Sequence, residues 1–228
     1  MIKSDFFSNA MLLDYSNNSI RNKIENSKNE LWKVPEEYWK KILSNFMHVG
    51  TNSKTLIKRQ KNNEFSIASN YNAIINLTSI EQKELLLSFV PGGRFRSREN
   101  KIIDILTAIK TIQENNINIL FDKNLKRNVI IRNLNEIDGI GSKQARNIPM
   151  DLYHPEFRNG SIPIDNNWKK VSKYLGYNWS DSDKHENEII EWRNNHIGRE
   201  IIKEDWEFDR LLYFALNEVN SNVNKLLK

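Results

Sequence analysis

The sequence of 228 residues contains no cysteine. Disulfide bonds, thiolate nucleophiles, cysteine-ligated zinc and cysteine-ligated iron–sulfur clusters are therefore excluded. The four histidines are scattered and show no HExxH or comparable pair spacing, so a metal site is not expected. We expect chemistry that uses amino-acid side chains alone, with no metal and no cofactor.

Long apolar runs are absent as well. Stretches such as ELLLSFV are far shorter than the roughly 20 residues that span a bilayer. The N-terminal residues lack the layout of a signal peptide because Asp5 and Asp14 interrupt them. A cytoplasmic protein without a membrane partner is expected.

The charge balance is weakly informative. A net charge of +5 and a pI near 9.2 are compatible with a polyanion partner. The abundance of asparagine, lysine and isoleucine is typical of AT-rich coding, which adds lysine for reasons unrelated to function. The positive charge therefore indicates a binding surface only where it clusters.

Most of the sequence has the apolar periodicity of amphipathic helices, and no hairpin signal indicates a β-sheet. Ser79 and Gln82 have the spacing of a capping box. Asp165 and Gly176 can cap the two ends of a later helix. An all-α fold is expected, with helices predicted over residues 36–47, 79–90, 99–115, 128–137, 142–148, 164–176, 185–198 and 208–219.

The apolar positions of these helices predict their buried faces. In the first helix the face consists of Tyr38, Ile42, Leu43 and Phe46, with Trp39 beside it. In the helix over 99–115 it consists of positions 102, 103, 106, 109 and 112. Trp168, which follows Asp165, is expected on its helix surface together with two lysines.

Only 8 glycines occur in the chain, yet two of them flank Ile140 in the segment IDGIGSKQARNI. Gly139 and Gly141 can adopt positive φ or allow a close backbone approach, while Ile140 packs inward. Between two predicted helices, such a turn points backbone N–H groups, including that of Ser142, at one spot. This arrangement binds anions such as a DNA phosphate without reading base sequence. Taken alone, the two glycines equally indicate a simple turn between helices.

Two further features follow this turn. Lys143 comes directly after it, and the segment I162-P-I164-D165 opens a helix with its aspartate 22 positions after the lysine. Together with L134-N-E-I137-D-G-I-G-S-K143, this pattern resembles the helix-hairpin-helix DNA glycosylase superfamily. Its members carry a hairpin of the form L-x-x-[IL]-x-G-[IV]-G-x-K and, about 20 or more residues later, an apolar-apolar-Asp at a helix start.

The resemblance implies an all-α, two-lobed fold with the active site in a cleft between the lobes. One lobe would combine residues of about 1–54 and 166–228. The other would comprise about 55–165 and contain the hairpin over 134–148.

The resemblance also implies the roles of two residues. In lysine-bearing members the lysine is the nucleophile and the aspartate its essential partner, which here are Lys143 and Asp165. A neutral amine can attack C1′ of the deoxyribose as the base departs, giving a Schiff base and then strand cleavage by β-elimination. A carboxylate can accept the lysine proton and stabilise the cationic sugar, as glycosidase carboxylates do. Separately, a helix cap and a phosphate-binding or solvated lysine are the simpler interpretations of these residues.

A segment near the C-terminus resembles the L-D-x-L-L-W-x-A helix of archaeal-type 8-oxoguanine glycosylases. It reads W206-E-F-D209-R-L-L-Y213-F-A, with tyrosine in place of tryptophan. The resemblance implies that Asp209 and Tyr213 line the base pocket, and Trp39 could add an aromatic wall. Core packing explains these aromatic residues equally well, and Asp209 could instead cap its helix.

The strongest basic cluster is the loop P91-G-G-R-F-R-S-R-E-N-K101. In the resembled family, a loop at this stage enters the minor groove and fills the space of the extruded nucleotide. Phe95 or Arg94 would be that wedge. Arg96, Arg98 and Lys101 would contact phosphates. A solvated charged loop is the alternative.

The sequence thus predicts a monomeric DNA glycosylase with associated AP lyase activity, acting on double-stranded DNA that contains a modified base. Oxidised guanine is the first choice of substrate, and a bulky phage-type modified cytosine is the alternative within the class. A non-enzymatic helix-hairpin-helix DNA-binding module and a helical scaffold protein are the alternatives from other classes. Its place of action would be the DNA of the cytoplasmic nucleoid.

Overall fold

The computed structural model describes residues 3–180, 182–219 and 222–226. All regular elements in these ranges are helices, and the ranges contain no β-strand, which confirms the predicted all-α class. Single 3₁₀ turns lie at Leu31–Lys33 and Pro155–Phe157. The α-helices are, in chain order, α1 (Lys3–Ser16), α2 (Asn18–Asn26), α3 (Pro35–His48), α4 (Ser53–Gln60), α5 (Asn63–Ser69), α6 (Tyr71–Ile75), α7 (Ser79–Phe89), α8 (Arg98–Asn115), α9 (Ile117–Leu120), α10 (Arg127–Asn135), α11 (Ser142–Asp151), α12 (Asn166–Leu175), α13 (Asp183–His196), α14 (Asp205–Glu218) and α15 (Val223–Leu226).

The helices form two compact units. The middle unit, Leu31–Leu152, contains α3 to α11, and the terminal unit, Met1–Glu30 with Tyr153–Lys228, contains the remaining helices. Residues 31–54 thus differ from the sequence prediction, which grouped them with the termini, because α3 packs against α8 and α11. Residues 153–165 differ in the opposite direction, since their backbone is bonded to the start of α14.

The core of the middle unit is built on α3 and α8. Pro35 occupies the first turn of α3, where its missing N–H costs nothing, and the predicted apolar face of this helix is buried. On α8 the buried stripe contains Ile105, whereas the predicted Ile103 is 59% exposed. Residues two apart point to nearly opposite sides of a helix, so only one of these two isoleucines can face the core.

The start of α7 differs from the prediction by one residue. Thr78, not Ser79, is the N-cap, and it forms a reciprocal capping box with Glu81. The predicted partner, Gln82, is buried and donates its side-chain N–H groups to the carbonyls of Ile74 and Leu77. The side chain of Gln82 therefore bonds to the segment before α7 and takes no part in the cap.

In the terminal unit, the predicted caps of α12 are confirmed: Asp165 caps its start, and Gly176, at φ +87°, ends it in the left-handed region. Trp168 is buried, contrary to the prediction, and packs against Trp179 and Phe208. Large aromatic rings remove much apolar surface from water, and this cluster forms the centre of the unit.

A buried ion network joins the segment before Asp165 to α14. Arg193 and Asp205 are fully buried, with Nη1 and Oδ1 2.8 Å apart, and Arg199 also donates to the same carboxylate. The backbone N–H of Gly160 donates to Asp205 Oδ2 at 2.8 Å. Because a buried charge must be paired and hydrogen-bonded, this network fixes the chain near residue 160 against α14.

Among the described residues, none of the helices combines the length and apolar character needed to cross a bilayer.

Candidate active site

The glycine-bearing turn lies between α10 and α11, as the sequence predicts. Ile137 and Ile140 are buried beneath it, and the Ile140 N–H donates to the Ile137 carbonyl at 3.0 Å. Gly139 has φ +84° and Gly141 has φ −86°, so only the first glycine needs the left-handed region. The two glycines therefore serve different purposes.

Gly139 is required by space as well as by conformation. A Cβ added there would lie 2.7 Å from a ring carbon of Phe46 and 3.5 Å from the carboxyl group of Asp104. These side chains belong to α3 and α8, so the turn rests directly on the core of the middle unit. A larger residue at this position would have to lift the turn.

Replacing Gly139 by alanine is expected to destabilise the protein by about 2–4 kcal/mol, because left-handed strain and overpacking add. Gly176→Ala is the matched control, since its φ is +87° and nothing lies within 4 Å of an added Cβ. Strain alone predicts about 1–2 kcal/mol there. Urea denaturation measures the free energy of unfolding of both variants. An equal loss of stability in the two would contradict the close contact of Gly139 with Phe46 and Asp104.

Gly141 is exposed and is the N-cap of α11, but no side chain caps this helix start. The exposed Ser142 is the first helical residue. Backbone N–H groups at a helix start that lacks a side-chain cap can donate to an anion, and the helix dipole favours negative charge there. The geometry is therefore suited to a phosphate.

Lys143 is the second residue of α11 and is half-buried in the middle unit. Asp165 is half-buried in the terminal unit, directly after the four buried residues 161–164. Its Oδ1 accepts from the backbone N–H groups of Asn167 at 2.8 Å and Trp168 at 3.0 Å. These capping bonds do not use Oδ2. The pairing of Lys143 with Asp165 stays a prediction.

Asp209 and Tyr213 lie one turn apart on α14. Glu204 caps this helix, so Asp209 is not its cap. The Asp209 side chain is 17% exposed, and its Oδ1 accepts a hydrogen bond from the indole N–H of Trp168 at 2.9 Å. Tyr213 is 44% exposed. Both residues keep some accessible surface on one helical face.

Trp168 is the residue that the sequence interpretation missed. Its backbone N–H donates to Asp165 and its indole N–H donates to Asp209, so it contacts two predicted site residues at once. A buried indole usually finds an acceptor for its N–H, and that rule was the available signal. Which acceptor it finds depends on how α12 packs on α14, and no local pattern encodes this packing.

The loop before α8 presents Phe95 to solvent, with 77% of the residue exposed. The Arg94 backbone N–H donates to the Gly50 carbonyl at 2.9 Å, and its guanidinium lies 5.5 Å from the Phe95 ring centre. The Gly93 N–H donates to the Arg96 carbonyl at 2.9 Å. These two hydrogen bonds hold the backbone of the loop, while residues 94–97 remain exposed to solvent.

The cations around this loop differ in their surroundings. Arg96 pairs with Asp104, whose hydrogen bond raises the pKa of the arginine. Arg98 is half-buried at the start of α8. Lys101, predicted to contact phosphate, is fully buried, and its Nζ donates to the Met47 carbonyl at 3.0 Å and the Thr51 hydroxyl at 2.7 Å. The prediction for Lys101 is therefore corrected to a structural role, and burial lowers the pKa of this amine.

Trp39 also receives a correction. It is fully buried within the middle unit, and its indole N–H donates to the Ala68 carbonyl at 2.8 Å. Tyr71 packs edge-on against it. The indole therefore belongs to the core and offers no open face to a base.

No group of His, Asp and Glu side chains suitable for a metal ion occurs in the part of the chain that the structure describes.

Comparison with known proteins adds one finding about the fold. No protein-family model matches the chain, and no curated protein sequence matches it at a significant level. Among solved structures, the chain is similar to the 8-oxoguanine DNA glycosylase of Methanocaldococcus jannaschii, with a TM-score of 0.58 and 19% sequence identity. The match covers 89% of this chain and 90% of that chain. At this identity the likeness establishes the fold, and it confirms the glycosylase-type fold that the sequence predicted.

Proposed function

We propose that this protein is a DNA glycosylase that excises a modified base from double-stranded DNA and then cleaves the strand. The observation that carries this proposal is the position of Lys143. It follows a phosphate-suited turn immediately, in a chain with the fold of a DNA glycosylase. A nucleophile beside a backbone phosphate site is near the sugar that it must attack.

The proposed reaction begins with the target nucleotide rotated out of the duplex. The Nζ of Lys143, as a neutral amine, attacks C1′ while the bond from C1′ to the base breaks. The base departs with the bonding electrons and receives the proton that the amine loses, relayed by Asp165. The nitrogen lone pair then forms the C=N bond of the Schiff base while the C1′–O4′ bond breaks, and O4′ takes up a proton from solvent. Loss of a C2′ proton then expels the 3′ phosphate by β-elimination. Covalent catalysis divides one difficult displacement into two easier steps.

Asp165 is proposed as the partner of the lysine. Its Oδ1 is committed to capping α12, so the orientation of the carboxylate is fixed by two backbone N–H groups. We assign to Oδ2 the acceptance of the lysine proton and the stabilisation of positive charge on the sugar. An oxygen held in place in advance needs no reorganisation when the charge develops.

Asp209 and Tyr213 are proposed to line the base pocket. Trp168 holds Asp209 through its indole N–H, which orients the carboxylate. The first choice of base is 8-oxoguanine, supported by the resemblance of this helix to archaeal-type enzymes. Another modified base, such as a phage-type modified cytosine in an antiviral role, is the alternative, because a few buried donors and acceptors decide base selection.

Phe95 is proposed as the wedge that occupies the space left by the flipped nucleotide. Replacing Phe95 by alanine is expected to reduce base unstacking and excision by about tenfold or more, since stacking contributes about 1–3 kcal/mol per base. Folding stability should change little because the ring is exposed. Fluorescence of 2-aminopurine in a duplex measures unstacking, and Ile80→Ala, which shortens another exposed apolar side chain, is the control. Equal effects of the two variants would contradict the assignment.

The proposed function is tested with a panel of duplexes that each carry one modified base, incubated with the protein and borohydride. A lysine nucleophile predicts a borohydride-trapped covalent complex with one or a few of these duplexes. Trapping identifies the enzyme class and the substrate together. Equal binding to all duplexes, with no trapping and no released base, would instead indicate a non-enzymatic helix-hairpin-helix DNA-binding module. A scaffold protein would show no salt-dependent DNA binding at all.

The enzyme is proposed to act as a monomer on nucleoid DNA, without a metal or cofactor.

A further inference from the structure

Asp104 lies at the junction of the two proposed DNA-contacting elements of the middle unit. Its carboxyl group is positioned under the turn, 3.5 Å from where a Cβ on Gly139 would be. Its side chain is only 10% exposed, and it is held on the first half of α8. A carboxylate in this place contributes negative charge beneath the turn that leads into the proposed phosphate site.

Arg96 reaches the same carboxylate from the loop that presents Phe95. Its guanidinium donates from Nη2 to Asp104 Oδ1, and its side chain is 44% exposed. One ion pair therefore connects the loop that carries Phe95 to Asp104, the residue beneath the turn. It also neutralises the carboxylate beneath the turn.

The rest of the loop packs against the end of α3 and the start of α8. A Cβ on Gly93 would lie 2.4 Å from the Val49 carbonyl oxygen and 3.0 Å from Lys101 Nζ. The backbone at Gly93 is therefore in close contact with both groups. The Lys101 amine ties α8 to the end of α3 through the carbonyl of Met47. The loop and the turn thus both pack on α3 and α8 in the middle unit.

We propose that Arg96 acts in DNA binding through Asp104, as a positioning and charge-neutralising residue, and makes no phosphate contact of its own. This inference rests on the proposed function, because it requires DNA to bind at the turn. Without Arg96, the carboxylate would repel a phosphate bound at the turn, since salt screens charges only weakly within the Debye length of about 8–10 Å. With Arg96 in place, this carboxylate is neutralised.

A double-mutant cycle distinguishes this role from direct phosphate binding. Arg96→Gln is expected to weaken duplex binding by about tenfold, because like charges brought together in an interface are strongly unfavourable. Asp104→Asn should leave affinity unchanged or raise it. In the double variant R96Q/D104N, affinity should return to within about threefold of the wild type, since no uncompensated charge remains.

Direct phosphate binding by Arg96 predicts a different pattern. The double variant would then bind as weakly as R96Q alone, and the slope of log affinity against log salt would fall by about 1. Our inference predicts an unchanged slope in the double variant. Either a double variant without recovered affinity or a reduced slope would overturn the inference.

The measurement is fluorescence anisotropy with an unmodified duplex at several salt concentrations, which requires no turnover. Lys110→Gln is the control for general charge loss, because it removes a cation with a 74% exposed side chain from α8, the helix of Asp104. Asp104→Ser replaces the asparagine variant in the cycle if that variant does not fold. Absence of DNA binding by the wild type would overturn the proposed function, whereas binding without recovery in the double variant would overturn this inference alone.

Discussion

Replacing Lys143 by alanine is expected to abolish base excision, strand cleavage and borohydride trapping. A loss of at least about a thousandfold in excision is expected, since the covalent route needs the amine itself. Duplex affinity should change by only a few fold, because the turn is proposed to bind phosphate through its backbone N–H groups. Single-turnover excision, trapping and anisotropy measure the three quantities on the same duplex.

Lys143→Arg is the matched control for the role of charge. Arginine keeps the positive charge but cannot act as the nucleophile, because its guanidinium stays protonated. Both variants are expected to be inactive. An active arginine variant would show that residue 143 acts as a cation, and a trapped complex with the alanine variant would assign the nucleophile to another amine.

Replacing Asp165 by asparagine is expected to lower excision by about a hundredfold to ten thousandfold, the range of a lost general base or electrostatic stabiliser. Folding stability should be nearly unchanged. Asparagine caps helices about as well as aspartate, so the bonds from the N–H groups of Asn167 and Trp168 can be kept. Excision under single-turnover conditions and urea denaturation separate the two effects.

Asp165→Ala completes this comparison. It should be as inactive as the asparagine variant but less stable by about 1 kcal/mol, because the cap of α12 is lost. Full activity of the asparagine variant would show that Asp165 serves only as a helix cap. Loss of activity in proportion to loss of stability in the two variants would lead to the same conclusion.

The sequence predicted α3, α7, α8 and α10 to α14 because their signals are local. The apolar face of α3 and the two caps of α12 depend on residues within a few positions of each other, and the structure confirms them. The capping box of α7 was predicted one residue late, since two overlapping pairs satisfy the same spacing. The Gln82 side chain instead donates to carbonyls of the segment before α7, and Thr78 and Glu81 form the capping box.

The partners of charged and aromatic side chains could not be predicted. Lys101 appeared to belong to an exposed basic loop, but the end of α3, about fifty residues earlier in the chain, supplies its acceptors. Trp39 appeared available for a pocket but is enclosed by α5 and α6. Both errors arise because long-range packing decides whether a side chain reaches solvent.

Within the candidate site, the sequence found the turn but did not distinguish its glycines. Gly139 is required by its positive φ and by the ring of Phe46, which is a long-range contact. At Gly141 an added Cβ would meet only the flexible end of Gln144. A motif therefore indicates that a turn exists, while the surrounding core determines which of its residues is essential.

The braced Phe95 loop has a consequence for how such an enzyme would search its target. A loop whose backbone is already hydrogen-bonded loses little backbone entropy when its exposed ring meets each base pair during sliding along the duplex. The search for a target base would then depend on the stiffness of the DNA. The ring would insert first at weakly stacked or mispaired positions, because unstacking costs least there. The residence time at each position would report the ease of opening the duplex, before any chemical group of the base is read.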